Sequence, residues 1–152
     1  MRRATAADLP AIVGLLADDA LGAIRERPEL PLDGRYLEAF AAIDADPRQL
    51  LMVATLAGDI VGCLQLSFIP GLSRLGSQRA LIEGVRVAAE MRGRGIGEDM
   101  ILWAKGEALR RHCHILQLAT DRSREDAHRF YERLGFVASH VGMKLDLDTK
   151  QG

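Results

Sequence analysis

Apolar residues recur along this chain with the period of helices in some segments and with the shorter period of strands in others. Helical periodicity predicts four helices, over 9–16, 36–43, 95–111 and 123–134. Apolar, partly β-branched runs predict strands over 1–4, 49–56, 60–69, 79–87 and 115–119, with one or two closing strands over 136–147. Strand alternation places Leu81, Glu83, Val85 and Val87 on one face of the fourth strand and Ile82, Gly84 and Arg86 on the other.

The order of these segments indicates an α/β protein with one mixed sheet. The turn Ala57-Gly58-Asp59 joins two strands into a hairpin, and the segments from 79 to 119 read strand, helix, strand. Such a βαβ unit has parallel strands and a right-handed crossover. We predict one domain over 1–147, followed by a C-terminal tail at 148–152.

Composition narrows the classes of protein to consider. The chain has 152 residues, of which 48% are hydrophobic, and its 20 Lys and Arg nearly balance 21 Asp and Glu. This balance argues against a nucleic-acid partner. No uninterrupted apolar run is long enough to cross a membrane, and no signal peptide is evident. The two cysteines are typical of reduced thiols, so we predict a cytoplasmic protein without a membrane partner.

A glycine-rich stretch, Arg92-Gly93-Arg94-Gly95-Ile96-Gly97, lies between a predicted strand and a predicted helix. Glycine allows close approach of the backbone to a ligand, and a helix N-terminus favours phosphate. The stretch lacks the Gly-Lys-Ser/Thr of a nucleotide triphosphatase loop, and Glu98 replaces the last small residue of the dinucleotide fingerprint. We predict a pyrophosphate site, the alternative being a tight turn that merely uses glycine.

Together with two other segments, this stretch resembles the GNAT superfamily of N-acetyltransferases. Arg92, Gly95 and Gly97 match its Arg/Gln-x-x-Gly-x-Gly/Ala signature. The segments Val85-Arg86-Val87 and Ala127-His128-Arg129-Phe130-Tyr131-Glu132-Arg133-Leu134-Gly135-Phe136 match its other recurrent blocks. The resemblance implies a GNAT-like central mixed sheet of six to seven strands flanked by helices, with the βαβ unit binding coenzyme A.

The resemblance also implies acetyl-CoA as cosubstrate and a primary amine, on a small molecule or a peptide, as acceptor. Direct attack of the amine would take place in a ternary complex. The implied cofactor-binding residues are Val85, Arg86, Val87, Arg92, Gly93, Arg94, Gly95, Ile96, Gly97, Ser123 and Arg124. Many relatives carry an asparagine where this chain has Arg124, and Ser123 or Arg124 is the candidate to replace its contacts.

Two residues are candidates for proton transfer. Tyr131 is the candidate general acid for the CoA thiolate, because a phenol is a suitable donor to a thiolate. Its spacing alone favours a packed aromatic on an amphipathic helix, and the family resemblance favours the general acid. Glu83 is the candidate general base, because a carboxylate on an apolar strand face is costly unless used or paired. A salt bridge to Arg79 or Arg86 is the alternative, and a water chain could also serve as the base.

Other partners are less clearly indicated. The adjacent His112, Cys113 and His114 do not converge on one ion, so we predict no metal site. A homodimer is possible in a fold of this size. Two other functions stay open: a non-catalytic acyl-CoA sensor of the same fold, and a different phosphate binder such as a nucleotide module.

Overall fold

The computed structural model of the chain describes residues 1–147, so the predicted tail at 148–152 lies outside the described residues. Residue contacts divide the chain into two compact units, the first being Met1–Leu118 and the second beginning at Ala119. No helix among the described residues is long and apolar enough to cross a membrane.

The first unit contains one five-stranded mixed sheet. Its strands are β1 (Arg2–Arg3), β2 (Gln49–Leu56), β3 (Asp59–Ile69), β4 (Arg79–Val87) and β5 (Ile115–Leu118). They lie in sequence order in the sheet. The first four pair antiparallel, whereas β4 and β5 pair parallel. The predicted hairpin, the mixed sheet and the parallel βαβ unit are therefore confirmed.

Five α-helical segments, besides two 3₁₀ turns, lie between the described strands. They are α1 (Leu9–Ala17), α2 (Gly22–Arg25), α3 (Gly34–Ala45), the single turn α4 (Ser73–Gly76) and α5 (Ile96–Arg110). The short α2 was not predicted, because four residues are too few to show a helical period. The turn at α4 has left-handed backbone at Arg74 and Leu75.

The core of the first unit lies on both faces of the sheet. One face packs against α1, where Val53 and Cys63 are buried with Ile12 and Leu15. The other face packs against α5, whose Met100 lies against Gly62 of β3. The side chains of each strand lie on one or the other of these two faces. We call them the α1 face and the α5 face.

The second unit contains the helix α6 (Glu125–Arg133). Gly135 follows it with a φ of +90°, as expected of a residue that ends a helix. The prediction of closing strands over 136–147 is wrong, because these residues form no strand. The described sheet therefore has five strands rather than six to seven. The apolar side chains of 136–147 include Val141, Met143 and Leu145, and they are exposed instead of sheet-bound.

A capping box between Thr5 and Asp8, together with an ion pair from Arg2 to Asp8, stabilises the turn that leads into α1. Asp8 accepts a hydrogen bond from the backbone N–H of Thr5 at 2.7 Å, and its two oxygens accept from the Arg2 guanidinium at 2.7 and 2.9 Å. The Asp8 side chain is only 10% exposed. Hydrogen bonds from Arg2 hold the pKa of Asp8 well below its usual range, because their effect outweighs the opposing effect of burial.

We expect Asp8→Asn to lower the free energy of unfolding at pH 7 by about 1–3 kcal/mol, because it removes hydrogen bonds to a charged group. The stability that the Asp8 carboxylate contributes in the wild type is fully present above the usual carboxyl pKa of about 4. It is lost as the pH falls through the lowered pKa of Asp8. Urea unfolding at pH 7 and pH 3 measures both effects. Asp44→Asn is the control, because the exposed Arg3–Asp44 pair contributes less than about 1 kcal/mol. Equal losses in the two variants would contradict this account.

Candidate functional site

The hydrogen-bonded ladder between β4 and β5 stops before β4 ends. Its last pair is Ile82–Leu118, whereas β4 continues to Val87. Among the described residues no strand pairs with positions 83–87 on this edge. An unpaired strand edge presents backbone N–H and C=O groups that can bind an extended ligand. The predicted ligand-binding residues of β4 all lie on this open edge.

The same stretch of β4 contains a β-bulge. Between the register pairs Cys63–Arg86 and Gln65–Glu83, β3 advances by two residues and β4 by three. The extra residue lies next to Gly84, whose φ of +60° is left-handed backbone that glycine adopts without strain. The buried Cys63 thiol donates to the Gly84 carbonyl over 3.6 Å. Burial raises the pKa of that thiol to about 12, so it keeps the proton of this bond.

The bulge changes which side chains share a face. Val87 pairs with Gly62 and so lies on the α5 face, whereas Arg86 pairs with Cys63 on the α1 face. Glu83 pairs with Gln65, which is also on the α1 face. The prediction that Glu83 and Val87 share a face, with Arg86 opposite, is therefore wrong. Simple alternation fails because it assumes that β4 has no extra residue.

The glycine-rich stretch leads from a 3₁₀ turn, Ala89–Met91, into α5. Gly93 and Gly95 have φ of +75° and +82°, and α5 begins at Ile96. No side chain among the described residues caps this helix start. The first backbone N–H groups of a helix have no partner within it and carry partial positive charge. The stretch can therefore bind an anion, although Glu98 in the first turn lowers the local positive potential.

Two adjacent aspartates after α1 bind arginines of this region. Asp18 lies 3.2 Å from the Arg92 guanidinium, which also donates to the Val87 carbonyl at 3.1 Å. Asp19 lies 3.3 Å from Arg86 Nε, and both side chains are about one-fifth exposed. The sequence analysis missed both aspartates, because a pair of acids at the end of a helix usually faces solvent. Arg94 is exposed.

Glu83 is exposed and, among the described residues, forms no hydrogen bond or ion pair. The alternative of a salt bridge to Arg86 is excluded, because Arg86 pairs with Asp19. No described ion pair joins Glu83 to Arg79 either. The carboxylate is thus available to take a proton from a bound molecule.

The remaining predicted residues belong to the second unit. Tyr131 lies on α6 and its ring makes edge contacts with Phe130 and Phe136, with centroids 5.1 and 5.7 Å apart. The Ser123 hydroxyl donates to Asp121 at 2.7 Å in the turn before α6. Arg124 is half-buried at the N-terminal end of that helix.

The sequence and the fold both match known proteins. A model of the acetyltransferase (GNAT) family matches residues 16–136. The solved structure of a transcriptional regulator from Bacillus halodurans C-125 is 50% identical, with a TM-score of 0.93, and the match covers 95% of this chain and 97% of that one.

Two enzymes are similar to the chain in sequence. An aminoalkylphosphonate N-acetyltransferase of Salmonella typhimurium is 32% identical over 108 residues, which cover 69% of this chain and 68% of that protein. A glucosamine 6-phosphate N-acetyltransferase of Trypanosoma brucei brucei is 33% identical over 135 residues, covering 85% of this chain and 86% of that protein.

Proposed function

The chain belongs to the GNAT family of acetyltransferases, and from this premise we propose that it transfers an acetyl group from acetyl-CoA to a primary amine by direct attack in a ternary complex. The observation that carries the proposal is the open edge of β4, which leads directly into the glycine-rich start of α5. An acyl-CoA has matching parts, since its pantetheine amides can pair with a strand and its pyrophosphate can bind at a helix N-terminus.

We assign the cosubstrate contacts on this basis. Backbone groups of Val85 and Val87 pair with the pantetheine arm. The ion pair between Arg86 and Asp19 keeps this edge of β4 in position for that pairing. The pyrophosphate binds the backbone of 92–97, with Arg92 and Arg94 as flanking cations. Ser123 and Arg124 of the second unit are proposed to replace the contacts of the family asparagine.

The chemical step needs two proton transfers. Glu83 takes a proton from the acceptor ammonium, and the neutral nitrogen attacks the thioester carbonyl carbon. A backbone N–H near Val85 stabilises the oxyanion. As the C–S bond breaks, Tyr131 gives its proton to the thiolate, and the second proton lost by the nitrogen restores the phenol. The products are an amide, free CoA thiol and one proton released to water from Glu83.

The acceptor class is proposed from the two related enzymes. Both are named for small amines that carry a phosphorus oxyanion, a phosphonate in one and a phosphate in the other. We therefore propose a small molecule rather than a peptide as the acceptor of this chain.

A panel of primary amines, monitored by release of free CoA thiol, tests the proposed function. The panel contains amino sugars, aminoalkylphosphonates, polyamines and peptide amines, each with acetyl-CoA at a fixed concentration. We expect turnover on at least one small amine, with an acetylated amide as product by mass spectrometry. Thiol release without an acetylated amine would show hydrolysis and contradict amine transfer.

A second candidate function is a non-catalytic acyl-CoA-binding regulator. The observation that favours it is the 50% identity to a protein described as a transcriptional regulator. Tight acetyl-CoA binding with no turnover on any amine of the panel would support the regulator. Protection from thermal unfolding by ATP but not by CoA would instead indicate a nucleotide module.

A further inference from the structure

A row of polar side chains crosses the α1 face of the sheet beside Glu83. The register pairs Gln49 with Ser67 and Gln65 with Glu83, so the four side chains lie on one face of three adjacent strands. Arg79 lies four residues before Glu83 on β4 and therefore on the same face. We call these five residues the polar strip. On the same face, the sheet further along carries the apolar core that packs against α1.

Hydrogen bonds hold the centre of the polar strip in place. The Gln49 side-chain oxygen accepts from the Ser67 hydroxyl at 2.7 Å and from the Gln65 amide at 3.0 Å. Ser67 is buried, whereas Gln49 and Gln65 are half-buried. Among the described residues, no partner binds the side-chain oxygen of Gln65 or the side-chain N–H groups of Gln49. These groups are fixed in position and can still bind another molecule.

The strip carries opposite charges at its two ends. Glu83 and Arg79 are separated by four residues of extended chain, which places their Cα atoms about 13 Å apart. Among the described residues, neither side chain takes part in an ion pair. Both side chains are long enough to reach toward each other over Leu81, which lies between them on the same face. A molecule with an ammonium at one end and an anion at the other complements this arrangement.

We propose that the polar strip is the acceptor subsite and selects a small primary amine that bears an oxyanion. Glu83 receives the ammonium, and the Arg79 guanidinium binds the oxyanion with two parallel hydrogen bonds, as it commonly does with phosphate, phosphonate or carboxylate. Between the two ends, the Gln49 amide N–H groups donate to oxygen atoms of the acceptor molecule, and the Gln65 side-chain oxygen accepts from its N–H or hydroxyl groups. Arg79 is thus a specificity-determining residue and takes no part in the proton transfers. The inference rests on the proposed acetyl transfer, since Glu83 has the same role in both.

The test compares 2-aminoethylphosphonate with 3-aminopropanol, which has a similar length and no charge at the far end. We expect wild type to have at least about tenfold higher kcat/KM for the phosphonate, because hydrogen bonds to a charged group are the stronger ones. Arg79→Gln should raise the KM for the phosphonate by about tenfold or more and abolish the preference. The KM for acetyl-CoA and the rate with 3-aminopropanol should stay unchanged, and Arg79→Lys should restore part of the preference.

Arg74→Gln is the matched control, because it removes an exposed positive charge from the turn before β4. It should keep the preference. A preference for the phosphonate that survives in Arg79→Gln, or that Arg74→Gln loses equally, would overturn the subsite. If thermal unfolding shows that Arg79→Gln does not fold, Arg79→Lys is compared with wild type instead. Its preference for the phosphonate should be weaker than that of wild type, since an ammonium cannot form the two parallel hydrogen bonds.

Failure of the proposed function gives a different result. If wild type releases no thiol with any amine, binding of 2-aminoethylphosphonate to the CoA-saturated protein is measured by calorimetry. Binding to wild type that is weakened about tenfold or more in Arg79→Gln would support the acceptor subsite and contradict the proposed acetyl transfer. If wild type does not bind 2-aminoethylphosphonate, the proposed acceptor subsite is contradicted as well.

Discussion

Gly95→Glu is expected to abolish coenzyme A binding. Gly95 has a φ of +82° immediately before α5, a conformation that costs other residues about 1–3 kcal/mol. The larger effect is electrostatic, because the new carboxylate would stand beside the N–H groups that we assign to the pyrophosphate. We expect the Kd for CoA, measured by calorimetry, to rise by more than about 100-fold, equivalent to about 2.7 kcal/mol.

Two control variants separate charge from backbone strain. Gly58→Glu introduces the same side chain at a φ of +90° in the β2–β3 turn, where an added Cβ meets no atom within 4 Å. It should lose stability and keep CoA affinity. Gly95→Asn places an uncharged residue that tolerates left-handed backbone in the loop, and should weaken binding by much less. Unchanged CoA affinity in Gly95→Glu would contradict the phosphate assignment.

Tyr131→Phe is expected to lower kcat by about 100-fold or more, the usual contribution of a positioned general acid. The KM for acetyl-CoA should change little, because the ring and its edge contacts with Phe130 and Phe136 are kept. Steady-state kinetics by thiol release at a fixed pH measures both kcat and the KM for acetyl-CoA.

The other tyrosine supplies the control. The Tyr36 hydroxyl donates to Glu26 at 2.7 Å and accepts from the Arg27 N–H at 3.0 Å. Tyr36→Phe should therefore lower the free energy of unfolding by about 1–2 kcal/mol and leave kcat unchanged. A kcat for Tyr131→Phe equal to that of wild type would show that water protonates the thiolate and that Tyr131 is a packing residue.

The sequence by itself determined the fold class, the family and the boundaries of the main elements. Strands β2 and β4 begin and end where the apolar, partly β-branched runs predict, because turn and loop residues bound these runs in the sequence. The glycine-rich stretch and the Phe130–Tyr131 segment identified the family because both depend on local backbone geometry and chemistry. A short motif carries that information within a few residues.

Three features were decided only by the tertiary structure. The bulge at Gly84 reverses the faces of Arg86 and Val87, and it is visible only in the register with β3. Asp18 and Asp19 meet their arginines through contacts that join positions more than 60 residues apart. The polar strip brings together three strands, each of which shows only isolated polar residues in its own alternation. Pairings between distant segments depend on the whole packed chain, so a single sequence read by local pattern does not contain them.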